Sequence, residues 1–275
     1  MKKMLAILLA LTALPLAAQV RTPRASQKQK VTQTVGLTDI TITYSRPGVK
    51  NRAIWGALVP YGQVWRTGAN EATTIQFSDD VTIDGQKVPA GTYSLHTIPT
   101  ATDWTIILNS VADQWGSYSY DQTKDVLRVK ATPQKSPFHE WLTYEFPQVT
   151  NDQATIAIAW ENVAVPFTVS TNGTEKTLAS LRNAMNASKN DAWRLPYMAA
   201  SFAFDNNVAG SEASQWLDQS LAAQQTLANL WLKARMQAKA GDKAGAKKTA
   251  ELALAKATPS DADFAAEIRK QSAAW

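Results

Sequence analysis

The 275-residue chain contains no cysteine and only two histidines, His96 and His139. Those two scarcities exclude disulfide frameworks, thiolate metal sites, cysteine nucleophiles and three-histidine zinc centres. There is no Gly-x-Ser-x-Gly elbow, no phosphate-cradling glycine loop and no dinucleotide fingerprint, so the classes that announce themselves by such loops are absent too. His139-Glu140 begins like a metalloprotease helix. Thr143 then stands where the second histidine belongs, and Trp141 to Phe146 alternates as a strand. His96, inside Tyr93 to Ile98, reads as a structural histidine on a strand. Asp79-Asp80 lacks the oxygen spacing of a calcium loop. No metal and no cofactor is implied. Charge of one sign is also in short supply: 28 basic residues face 23 acidic ones, and the formal charge of +5 falls to +3 without Lys2 and Lys3. That is no nucleic-acid signature. The surplus lies in the second part of the chain, where Lys243, Lys247 and Lys248 suit a solvated helix face.

What is present begins with a basic start, Met1-Lys2-Lys3, then an apolar run from Met4 to Leu16 and the small residues Ala17-Ala18. This is the pattern of a signal peptide over residues 1–18, cleaved after Ala17 or Ala18. The run is too short to span a bilayer and contains Pro15, so no transmembrane anchor is expected, and with no cysteine behind it no lipid anchor either. The reading is a periplasmic or secreted protein. Residues 19–30 are polar and aperiodic, a flexible leader.

From Val31 the chain alternates with period two, with a slip near Asp39 that suggests a bulge. Thr73 to Phe77 and Val81 to Ile83 alternate again, and Asp84-Gly85 is a hairpin turn into Lys87-Val88. Further strands are expected at Thr92–Ile98, Trp104–Leu108, Asp125–Lys130, Trp141–Phe146, Ala154–Trp160 and Val163–Val169. Eight to ten short strands joined by Gly, Pro, Asn and Asp turns argue an all-β sandwich or jelly roll over residues 31–170. Near residue 172 Val and Ile give way to Ala, Leu, Lys and Gln, and helices are expected at about 175–189, 191–205, 211–223, 225–240, 243–257 and 260–273. Ala213, Trp216, Leu217 and Leu221 recur 33 residues on as Ala246, Thr249, Ala250 and Leu254. That period resembles tetratricopeptide-type helical hairpins, so residues 171–275 read as an α-helical repeat-like domain.

Residues 44–72 break the alternation around them. They hold Arg46, Lys50, Arg52, Arg66 and Glu71 with Trp55, Tyr61 and Trp65, punctuated by Gly48, Pro60, Gly62 and Gly68. A long aperiodic segment between strands binds something or plugs a core. As a ligand site, guanidinium forks would hold carboxylates or phosphates while indoles offer flat faces. As a plug, Arg66 or Arg52 would pair with Glu71, the one acid in the loop, with Trp55 and Trp65 filling core. The candidate ligand-binding residues are Arg46, Arg52, Trp55, Trp65, Arg66, Asn70 and Glu71, with Trp115 and Tyr120 from a second aromatic cluster between strands.

Tyr44-Ser45-Arg46-Pro47, Arg52 to Gly56, Leu58 to Gly62, Val64 to Ala72 and Pro89 to Leu95 together resemble the signature of one family. It is the Domain of Unknown Function 2911 (DUF2911) family of exported Bacteroidota proteins. Trp115-Gly116, Tyr120-Asp121, Asp125 to Val129 and Glu140 to Phe146 extend the resemblance over about residues 30–170. It implies the β fold, export, a helical tetratricopeptide-like tail and importance for the arginine loop, and it implies no catalytic residue and no substrate.

The expectation is therefore a periplasmic module that binds a small anionic or saccharide ligand at the 44–72 loop. One alternative is an interaction protein that docks a protein partner through the helical tail. Another is a glycan-active enzyme using Glu71 with Asp121 or Glu140 as the second carboxylate.

Overall fold

The computed structural model describes residues 22–187 and 192–275. The expected signal peptide and the expected boundary between the first two helices lie outside the described residues. Strand β1 (Gln27–Val35) pairs antiparallel with β2 (Thr38–Arg46), from Gln27 opposite Arg46 to Val35 opposite Thr38. The slip near Asp39 is thus a hairpin and not a bulge. Gly36 turns the chain at φ +60°, and the two-residue turn shifts the phase of alternation so that Val35 and Thr38 both point inward. The leader is shorter than expected, since β1 already starts at Gln27.

The following strands are β3 (Thr73–Phe77), β4 (Val81–Ile83), β5 (Gln86–Val88), β6 (Gly91–Pro99), β7 (Trp104–Asn109), β8 (Asp125–Ala131), β9 (Gln134–Val149) and β10 (Gln153–Ser170). Asp84 and Gly85 both take positive φ between β4 and β5, as the Asp-Gly hairpin requires. They form two antiparallel sheets, of order β1-β2-β3-β6-β7-β8 and β5-β4-β10-β9. The two strands expected at 154–160 and 163–169 are one 18-residue strand, β10. Its pairing with β9 shifts register on both sides of Glu161, which sits at φ +55°, so the break in pattern is a kink within a continuous strand.

Alternation puts Ile40, Ile42, Tyr44, Ile75, Phe77, Leu95, Ile106, Leu108 and Leu127 on the inner face of the larger sheet. They pack against Leu142, Tyr144, Ile156, Ile158, Trp160 and Val165 of the smaller one. After β2 the chain crosses between the sheets. Leu142 N donates to Pro47 O at 3.0 Å and Val49 N to Glu140 O at 2.8 Å, which stitches the larger sheet to the edge of β9.

From residue 173 the chain is helical: α1 (Gly173–Ala187), α2 (Arg194–Asp205), α3 (Gly210–Ala223), α4 (Leu227–Lys239), α5 (Lys243–Leu254) and α6 (Ala262–Ala273). Thr226 caps α4 in a reciprocal box with Asn229, and Asp242 caps α5 through Gly245 N. Ala213, Trp216 and Leu217 are buried in α3, and Ala246, Thr249 and Ala250 are buried in α5, so the positions that recur in sequence are the packing positions of both helices. No helix among the described residues is long and apolar enough to cross a membrane.

The helical part is fastened to the sandwich at one corner. Asp152 accepts from Thr174 N and Thr174 Oγ1, both at 2.7 Å, at the start of α1. Gly36 and Gly173 meet there with no room for a side chain: a Cβ on Gly36 would press on Asn151 O and lie 2.9 Å from Gly173 Cα. Gly36→Ala is therefore expected to cost about 1–3 kcal/mol, from a left-handed backbone and a backbone clash together. Urea unfolding of the variant against the parent would measure it, and an unchanged midpoint would refute the argument.

Candidate functional site

The three arginines of the 44–72 segment do not converge on one point. Arg46 donates from Nε to Leu142 O at 2.8 Å and from a terminal nitrogen to Thr143 Oγ1 at 2.7 Å, so it belongs to the seam with β9. Arg52 is held by its own turn, with Nε on Val49 O at 3.1 Å and Nη2 on Gly48 O at 2.6 Å. The Arg66 side chain makes no hydrogen bond and has no carboxylate partner among the described residues, and its Nε is sealed from solvent. Burial without a counter-charge pushes the Arg66 guanidinium below its usual value.

Glu71 does not staple this loop to itself, which corrects the pairing expected of a plug. It takes Arg24 of the leader instead, with Nη1 on Oε1 at 2.6 Å, and that hydrogen bond is the main reason its carboxyl titrates below the usual range. Arg24 also lies over the exposed Trp115 ring, 5.9 Å from its centroid. Asn70 turns the chain at φ +60° and donates to Ser26 O at 3.0 Å.

Trp55 and Trp65 do fill core. Trp55 meets Trp104 edge-on at 5.0 Å and Trp160 at 5.8 Å, while Trp65 stacks on Trp160 at 5.9 Å and donates from Nε1 to Gly68 O. The two rings of the second aromatic cluster are not beside Trp65. Trp115 pairs by backbone with Glu71, and Tyr120 donates to Asp125 Oδ2 at 2.6 Å, where burial and that carboxylate push its hydroxyl up to about 12. Of the other carboxylates considered with Glu71, Asp121 caps a turn at Thr123 and Glu140 accepts from Lys50 N.

Besides a cavity lined by Arg46, Trp141 and residues of β1, two cavities flank this segment. One, of about 200 Å³, is lined by Arg52, Arg66, Trp65, Trp160, Pro47 and Val59 among others, and no acid lines it. The other, of about 290 Å³, lies on the outer face of the larger sheet where the 66–72 loop meets the loop from 110 to 121. Backbone bonds sew those loops together, Ala72 N to Gln114 O at 2.9 Å and Gly116 N to Asn70 O at 3.1 Å. Both Glu71 Oε2 and Gln114 Oε1 are buried there with no donor. Each such atom costs about 1–3 kcal/mol while it stays unpaired. Arg66 stands between the two sites, its Nη1 3.6 Å from where a Cβ on Gly116 would be.

Sequence reading missed Trp104, Trp160, Arg24, Lys28, Asp113 and Gln114. Trp104 and Trp160 read only as the ends of expected strands, and their meeting with Trp55 and Trp65 is a tertiary contact. Arg24 and Lys28 fell in what read as a leader, and Gln114 carries no motif.

A family model described as "Protein of unknown function (DUF2911)" matches residues 26–169. No curated protein and no solved structure matches the chain.

His96 lies under the 110–121 loop, fully buried, with Nδ1 3.0 Å from Ser117 Oγ and Nε2 3.1 Å from Ser94 Oγ. Ser94 Oγ donates to Val111 O at 2.8 Å, so the network assigns the imidazole proton to Nε2 and makes Nδ1 the acceptor from Ser117. Burial lowers its pKa to about 4. The unfolded chain binds that proton near pH 6.5, so the stability of neutral, buried His96 is complete above pH 6.5 and is lost as pH falls towards 4. Between pH 7 and 4.5 the loss is on the order of 2–3 kcal/mol. Urea titrations at both pH values should show it in the parent and a clearly smaller pH dependence in His96→Gln.

Proposed function

We propose, for a chain that belongs to the DUF2911 family and inherits no activity from it, an exported binding module for a small anionic ligand at the 44–72 loop. The observation that carries the reading is a cavity walled by two guanidiniums, Arg52 and Arg66, with no acid in its lining. A half-buried guanidinium without a counter-charge is costly, and an anion removes that cost with two-point hydrogen bonds. Arg52 is already aimed by Gly48 O and Val49 O, and its Nη1 makes no hydrogen bond among the described residues. That is a pre-positioned donor, so little side-chain entropy is lost on binding. Trp65, Trp160 and Val59 supply apolar walls that suit a ring or short aliphatic body behind the charge.

At about 200 Å³ the space is smaller than the roughly 300–1,000 Å³ typical of drug-sized ligands, which favours a monocarboxylate or a sugar acid. Export is supported by the basic start, apolar run and small residues of the N-terminus. The ligand and plug readings are compatible: Trp55 and Trp65 anchor the loop in the sandwich while the arginines face its cavity. The glycan-enzyme reading has less support, because Glu71 is engaged by Arg24 and neither Asp121 nor Glu140 lines a cavity with it.

A thermal-shift panel of benzoate, galacturonate and N-acetylneuraminate, each against its neutral amide or parent sugar, tests this. A true ligand at 100 times its dissociation constant adds about 2.7 kcal/mol of stability. Stabilisation by an acid and not by its neutral counterpart, lost in Arg52→Met and Arg66→Met, is the expected result. Equal effects of acid and neutral partner, or no effect of any acid on folded protein, would defeat the proposal.

A further inference from the structure

The second cavity differs from the first in its chemistry. Its lining includes Thr43, Ser45, Thr74 and Thr92 from the outer face of β2, β3 and β6, with Glu71, Asp113 and Gln114 from the loops and Lys28 from β1, beside the apolar Ala72 and Ala112. The hydroxyls follow from strand alternation. Thr43 stands opposite Thr74, and Thr74 opposite Ser94, so a row of small polar side chains floors the space.

Two acceptors in its walls have no donor, Glu71 Oε2 and Gln114 Oε1. The orientation of Gln114 is fixed by its other end: Nε2 donates to Val111 O at 2.8 Å and to Ser94 Oγ at 3.2 Å, so turning the amide over would set oxygen against carbonyl oxygen. The orphaned oxygen is therefore a consequence of the fold. Glu71 is likewise tethered by one oxygen to Arg24, leaving the other unmet. Two neighbouring residues that each lack a donor call for a group that brings donors. Both residues line the cavity.

Charge then selects among donors. Glu71 and Asp113 are balanced by Lys28 and by Arg24, so the surroundings carry no net charge to attract an ammonium ion. We infer that this cavity is a second binding site, for a neutral polyhydroxylated ligand the size of a monosaccharide, whose vicinal hydroxyls donate to Glu71 and Gln114.

The inference is independent of the anion site. Isothermal titration and thermal shift of the protein from residue 19 onward, with D-mannose, N-acetylglucosamine, myo-inositol and, as a cationic control, glucosamine, would test it. At least one neutral polyol should bind, with tenfold or greater weakening in Gln114→Met and in Thr74→Val and no change in Arg52→Met. Thr74→Val alters only a half-exposed hydroxyl and keeps a folded comparison available if Gln114→Met unfolds. Failure of all three neutral probes to bind, binding that survives Thr74→Val, or a response to glucosamine alone would each overturn it. Loss of polyol binding in Arg52→Met would instead merge the two sites and overturn their separation.

Discussion

The packing of four indoles at one end of the sandwich is the interaction on which the rest depends. Trp55 and Trp65 come from the long loop, Trp104 from the larger sheet and Trp160 from the smaller one, with ring centroids between 5.0 and 6.2 Å apart. Edge-to-face and offset contacts of this kind add to the burial of large rings, and truncating one such ring costs about 3–5 kcal/mol. The cluster joins both sheets and the loop into one body. It is what lets a 26-residue irregular connection between β2 and β3 hold a single shape.

Once that loop is fixed, its polar groups have little choice. Arg46 and Arg52 are each anchored by backbone carbonyls, Arg52 with Nη1 left over, and Thr67, Asn70 and Lys50 adopt positive φ along the loop. Among the orphaned polar atoms, Glu71 Oε2 and Gln114 Oε1 lie where the loop meets residues 110–121, and Asn70 takes a positive φ there. A fold that only needed a plug could satisfy Arg66 with a nearby acid. Here the acid is turned away towards Arg24, and the guanidinium is left beside a cavity. Unpaired buried groups concentrated in a cleft are a signature of sites that await a partner.

The leader has a larger part than its composition suggests. Arg24 pairs with Glu71 and Ser26 accepts from Asn70, just ahead of the β1 residue Lys28 that walls the outer cavity. Its residues were legible only as polar and aperiodic, because a segment that docks by two or three specific bonds has no periodic pattern to read. The same holds for Gln114, whose importance lies in where its amide is held. By contrast the strand phases of Ile40, Ile42, Ile75 and Leu95, the Asp84-Gly85 turn and the change to helices near residue 172 were readable from local pattern. The hairpin at Gly36-Leu37 was misread for a related reason: a two-residue turn and a bulge shift alternation alike.

By itself, then, the sequence determined a β sandwich followed by helices, and marked the 44–72 segment as the place where regular structure yields to something else. It did so because periodicity, turn residues and composition are local properties, written within a few residues of where they act. Only the tertiary structure decided which partner each arginine and glutamate takes, and that the candidate residues disperse among separate cavities, a tryptophan core, the β9 seam and bonds to the leader and to Asp125. Those outcomes hang on contacts between residues far apart in the chain, such as Trp65 with Trp160, Arg24 with Glu71 and Arg46 with Leu142. Such pairings are set by how the sheets and loops pack, and no local pattern encodes them.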